Sequence, residues 1–145
     1  MKKLLLLLTM VSLPTFASVS ANVSIASDYI WRGMTQTDGI AVSGGFDYAA
    51  DGGFYAGIWG SNVNFNDSTG EGNGAEFDYY FGYGFEMGGV GVDLGYVSFD
   101  YPGNEDDLDF EEIVLGLSMG DLGLTFAMGQ DGACLLYTSP SPRDS

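Results

Sequence analysis

Histidine is absent from this 145-residue chain, cysteine occurs once, and Lys and Arg together number four. Without imidazole, Ser-His-Asp triads, His-based acid–base pairs and most metal-dependent mechanisms are excluded from the sequence at hand. Carboxylates are plentiful, but no spacing sets an acid against a base. We therefore expect no enzyme, no cofactor and no metal centre. The formal charge of −16 excludes nucleic acid as a partner, because a phosphate backbone would be repelled. No apolar run reaches the roughly eighteen residues of a membrane-spanning helix. No helical periodicity persists beyond the first residues, and 23 glycines argue against one.

Both ends read as separate from the body. Residues 1–21 have the form of a secretory signal: Lys2 and Lys3, an apolar run from residue 4 to Val11, Pro14, then small residues. Cleavage after Ala17, with Thr15 three residues from the cut, or after Ala21 fits the small-residue rule. Residues 134–145, beginning Cys-Leu-Leu-Tyr-Thr-Ser-Pro-Ser-Pro-Arg, show no alternation and read as a sequencing adapter translated into protein. On this reading the natural sequence stops near Gly132 or Ala133, and Cys134 carries no chemistry.

What remains, residues 22–133, is acidic, glycine-rich and aromatic. Lys2, Lys3 and Arg143 lie in the end segments, which leaves Arg32 as the single cation of the body. A disordered acidic chain would lack the aromatics. Alternation with a period of two marks strands at 20–33, 40–49, 54–63, 75–86, 90–99, 110–119 and 122–129. The fourth is the clearest: Phe77, Tyr79, Phe81, Tyr83 and Phe85 against Glu76, Asp78, Tyr80, Gly82 and Gly84. In the third, Phe54 and Ile58 compete with Tyr55 and Trp59 for the apolar face. Tight turns are expected at 51–53, 87–89 and 120–121. Longer connections fall at 34–39, 64–74 and 100–109.

These features predict an all-β, antiparallel up-and-down transmembrane barrel, seen in part as seven strands. The strands are about as long as a tilted bilayer crossing requires, and the connections alternate short and long. Tyr29, Trp31, Phe46, Tyr48, Phe85 and Phe99 near strand ends suit interfacial girdles. A secreted soluble β-sandwich also alternates. Small glycines recurring opposite the apolar face fit a crowded barrel interior better. Membrane barrels from bacteria have even strand numbers and must close, so a seventh strand at the boundary of the foreign-looking tail implies missing strands.

The block Ser20-Ala-Asn-Val-Ser-Ile-Ala-Ser-Asp-Tyr-Ile-Trp-Arg-Gly-Met-Thr-Gln-Thr resembles the start of the TorF-type porins, also known as the Gcw_chp family. The resemblance continues through Gly44-Gly-Phe-Asp-Tyr, Gly53-Phe-Tyr-Ala-Gly-Ile-Trp-Gly, Glu76-Phe-Asp-Tyr-Tyr-Phe-Gly-Tyr and Gly95-Tyr-Val. It implies an outer-membrane barrel about twice this length with a channel role. It carries over no catalytic or ligand residues.

On the polar parity lie Asp28, Arg32, Asp47, Glu76, Asp78, Asp93 and Glu112, the expected pore-lining set. Carboxylates inside a protein wall need water or a cation. Arg32 can serve one or two of them, with Asp28 four residues back on its face. The excess favours cations, as acidic rings do in channels. The expected function is passive passage of small cationic or neutral solutes through the outer membrane, reached by secretion, with membrane lipid and small solutes as partners. The alternative is a non-conducting structural or adhesive barrel that uses its acidic loops. Asp67 with Glu71, and the run from Asn104 to Asp107, match no calcium-loop spacing and read as solvated surface. Oligomeric state is not legible.

Overall fold

The computed structural model describes residues 17–65, 73–102, 108–129 and 134–140. The residues before Ala17, which hold most of the expected signal, lie outside the described residues. So do Asp67, Glu71 and the run from Asn104 to Asp107.

The described chain is strand and turn. It comprises β1 (Ser18–Ala26), β2 (Ile30–Trp31), β3 (Met34–Thr35), β4 (Ala41–Ala49), β5 (Phe54–Asn64), β6 (Asn73–Met87), β7 (Val90–Asp100), β8 (Phe110–Met119), β9 (Leu122–Gly129) and β10 (Cys134–Pro140). Eight strands form one antiparallel sheet in the order β1-β4-β5-β6-β7-β8-β9-β10, and β2 with β3 forms a separate hairpin. Each sheet neighbour follows the previous one along the chain, apart from that hairpin. Turn chemistry explains the meander. Gly88 and Gly89, with φ of 62° and 80°, close the tight turn between the paired residues Met87 and Val90. Positive φ at both central residues matches the twist of the flanking strands. Strands β1 and β10 make no contact with each other, so the sheet is open.

Alternation sorts the sheet into two faces. Phe46, Ile58, Phe81, Leu94, Ile113 and Met128 point one way; Asp47, Trp59, Asp78, Asp93, Glu112 and Ala127 point the other, which we call the inner face. The ambiguity in the third strand is resolved: Phe54 and Ile58 join the apolar face, and Tyr55 and Trp59 join the carboxylates. Burial is inverted relative to a water-soluble sheet. On the apolar face Val23 is 80% exposed and Phe46 62%, whereas on the inner face Glu76 is 1% and Asp78 4% exposed. Among the described residues no second sheet covers the apolar face.

Three expectations are corrected. The first strand does not run from 20 to 33. It ends at Ala26, and the chain then folds across the inner face as the β2–β3 hairpin. Tyr29 and Trp31 therefore leave the parity of Val23 and Ile25. Tyr29 is buried and Trp31 packs with it in the core, so neither is a girdle residue; Phe99 is buried there as well. Finally, the segment read as lacking alternation supplies β10, paired with β9 from Cys134↔Met128 to Pro140↔Leu122. Backbone pairing needs no side-chain pattern: the open edge of β9 offers N–H and C=O groups to any extended segment.

The core sits at the end of the sheet that carries the long connections. Tyr29, Ala41, Val63, Val97, Phe99 and Tyr101 form it, with Trp31, Trp59 and Phe110 packed against them. The opposite end carries the short turns.

Candidate functional site: the inner face and the hairpin folded across it

The hairpin is built by its own polar residues. Asp28 Oδ1 accepts the hydroxyls of Thr35 at 2.6 Å and Thr37 at 2.8 Å. Those bonds, Thr35 first, hold the Asp28 carboxyl below its ordinary range. The Tyr29 N–H donates to Thr37 Oγ1 at 2.9 Å, and the Gln36 N–H to the Tyr29 carbonyl at 2.7 Å. The Asn64 N–H donates to the Gln36 carbonyl at 2.7 Å, which ties the hairpin to β5.

Arg32 and Gly33 form the tip between Trp31 and Met34, with φ of 49° and 84°. An arginine in the left-handed region costs roughly 1–2 kcal/mol. The contacts of its side chain oppose that cost. Nη1 donates to Glu112 Oε1 at 2.8 Å and Nη2 to Oε2 at 2.6 Å, a fork-to-fork pair. The guanidinium carbon lies 4.0 Å from the centroid of the Trp31 ring. Trp31 stands edge-on to Phe99 at 5.9 Å, and Phe99 stacks on Phe110 at 4.3 Å.

Tyr29 makes the second anchor. Its ring meets Trp59 edge-on at 5.3 Å, and its hydroxyl donates to Glu76 Oε1 at 2.7 Å. Burial first, then the Glu76 charge, raise the Tyr29 phenol above its usual range. Tyr101 just past β7 is raised for the same two reasons, in the same order.

Deeper on the sheet, tyrosines serve the carboxylates across intervening strands. Tyr55 on β5 donates to Asp93 Oδ1 on β7 at 2.7 Å. Its ring lies over Gly82 of β6, where any Cβ would overlap it. Tyr80 on β6 likewise lies over Gly57 of β5 and donates to Asp47 on β4. Gly57 and Gly82, opposite the apolar face, are thus seats for rings, and each ring carries a hydroxyl to an acid.

Of the expected set, Asp47, Glu76, Asp78, Asp93 and Glu112 share the inner face, and Arg32 reaches it from the hairpin. Asp28 is not with them. It caps its own hairpin, and the bidentate partner of Arg32 is Glu112 rather than Asp28. The turn of the chain at Ser27 breaks the parity on which that pairing was expected. Tyr29, Tyr55, Tyr80, Trp31 and Trp59 belong to the site and lie outside the expected pore-lining set. The signal for two of them was present: Tyr80 sits among Glu76, Asp78 and Gly82, and Tyr55 competes for the wrong parity.

The arrangement provides a wall of carboxyl groups, hydroxyl donors that hold Asp47, Glu76 and Asp93 in place, and one tethered cation across one end. No curated protein and no solved structure matches the chain. A family model matches residues 14–133. The chain belongs to that family, Gcw_chp, described as a bacterial protein of unknown function.

Proposed function

We propose that this sheet is wall of an outer-membrane β-barrel of the TorF porin type, passing small cationic or neutral solutes. One observation carries the reading: the face that is exposed is the apolar one. Leaving a large aliphatic or aromatic side chain in water forgoes roughly 1.5–3 kcal/mol. Val23, Ile25, Phe46, Phe81, Leu94 and Ile113 are all exposed in this way. A hydrocarbon solvent reverses that sign. A soluble sandwich would bury the same face against a second sheet. In hydrocarbon an unpaired edge is costly, so in this reading the edge of β1 meets a further strand. A signal cut after Ala17 leaves β1 whole, whereas a cut after Ala21 removes Ser18–Ala21 and their pairing with β4.

The second reading is a barrel that does not conduct. The β2–β3 hairpin favours it, because it lies over the inner face and is fastened to both β6 and β8. Single-channel recording in planar bilayers separates the two. We expect discrete conductance with cation preference; a silent protein that fractionates with membranes supports the structural reading instead.

A further inference from the structure

Four carboxylates on the inner face of the sheet each have a donor: Asp47 from Tyr80, Glu76 from Tyr29, Asp93 from Tyr55 and Glu112 from Arg32. Asp78 differs. It is 4% exposed, and its Oδ1 has no hydrogen-bond partner among the described residues. A buried acceptor left in this state loses its hydration with nothing in return, so it calls for a proton or a positively charged donor.

The surroundings decide which kind of donor fits. In register, Asp78 is flanked by Trp59 on β5 and by Phe99 on β7. Tyr29 stands edge-on to that same Trp59, with its hydroxyl on Glu76 two residues along the face. A small metal ion takes several oxygens at close range. Among the described residues no three acidic, His or Cys side chains are grouped to hold one. Rings beside a carboxylate suit a weakly hydrated organic cation, attracted to the π faces and to the charge together. The chain carries its own example: the Arg32 guanidinium lies over Trp31 and forks onto Glu112.

We propose that Asp78 anchors a binding position for a small organic cation, of the guanidinium or alkylammonium class, walled by Trp59 and Phe99. The proposal rests on the reading of the inner face as a solute path, and it names the class of solute. Trp59, paired in register with Asp78, is the reporter.

The chain has two tryptophans, so Trp31→Phe leaves Trp59 alone. The full chain in detergent micelles is titrated with methylguanidinium, with sodium chloride at matched ionic strength as control, and Trp59 emission is followed. We expect a saturable change with methylguanidinium and none with sodium. Asp78→Asn should weaken the apparent affinity by about tenfold or more, as loss of a charge-assisted contact does. Asp51→Asn, in the short turn between β4 and β5, should leave it unchanged. Circular dichroism checks that each variant keeps its sheet. If Asp78→Asn does not, Asp78→Glu, which keeps the charge and displaces it, replaces it with the same expectation. A flat titration, an equal response to sodium, or an isotherm untouched by the Asp78 variants overturns the site and leaves Asp78 a protonated acid. Bilayer recording on the same preparation keeps the two readings apart. Current without an isotherm removes the site alone; an isotherm lost in Asp78→Asn without current keeps the site and removes the porin.

Discussion

Tyr55 reaches Asp93 across an intervening strand, its hydroxyl 2.7 Å from Oδ1 and its ring lying on Gly82. Three residues on three strands thus form one contact, and the glycine is the part that cannot be enlarged. A Cβ at position 82 would meet both the Tyr55 ring and the Leu94 carbonyl. Gly82→Ala should therefore destabilise the protein by about 1–3 kcal/mol, the usual cost of overpacking. Tyr55→Phe, which keeps the ring and strips the donor from Asp93, should cost about 1–3 kcal/mol. Combined, the two should cost less than their sum, since one contact is being removed twice. Denaturant midpoints in micelles measure all three; additive losses would disprove the shared contact.

Arg32 joins a strained backbone to a charge pair. Removing the side chain leaves Glu112, 7% exposed, without its guanidinium. Arg32→Ala should cost about 3 kcal/mol, the low end for breaking a buried pair, because the Arg32 side chain is itself 19% exposed. Arg32→Gly should be less damaging than Arg32→Ala by roughly 1 kcal/mol, because glycine accepts a φ of 49° freely. Equal losses would mean that the left-handed backbone is not retained in the variants.

Alkaline pH should loosen the hairpin. Tyr29 and Tyr101 have phenols raised above the ordinary value of 10.0. Above pH 10 the unfolded chain releases these protons while the folded chain keeps them. The unfolded state then binds fewer protons, so unfolding becomes more favourable as pH rises. Their stabilising contribution is complete below pH 10 and declines above it. Tyrosinate absorbance should lag behind that of free tyrosine until the fold opens. Tyr29→Phe should reduce the slope of stability against pH in that range.

The two faces should respond oppositely to charge. Phe81→Arg, near the middle of β6 on the apolar face, should cost about 2–4 kcal/mol in a bilayer and reduce assembly in the outer membrane. On the inner face, Asp78→Asn should leave assembly in place and shift the reversal potential under a salt gradient. Unchanged reversal potentials would count against this face as the lining of a conducting path.

The period-two pattern determined the strands, their order and the two faces. From β4 to β9 every parity except that of β5 was readable, because each strand pairs with its neighbour in the chain and local alternation is then also tertiary alternation. The carboxylates from Asp47 to Glu112 fell on one face for the same reason. Tertiary structure decided the rest. The alternation of residues 20–33 continues in sequence past Ala26, but the chain turns at Ser27, where Asp28 finds Thr35 and Thr37 and the Arg32-Gly33 tip allows a hairpin. Which acid Arg32 serves depends on how β8 lies under that hairpin, eighty residues away in the chain. The glycines and tyrosines were visible as composition. Their roles as seat and donor exist only across strands, at a register that no single strand encodes.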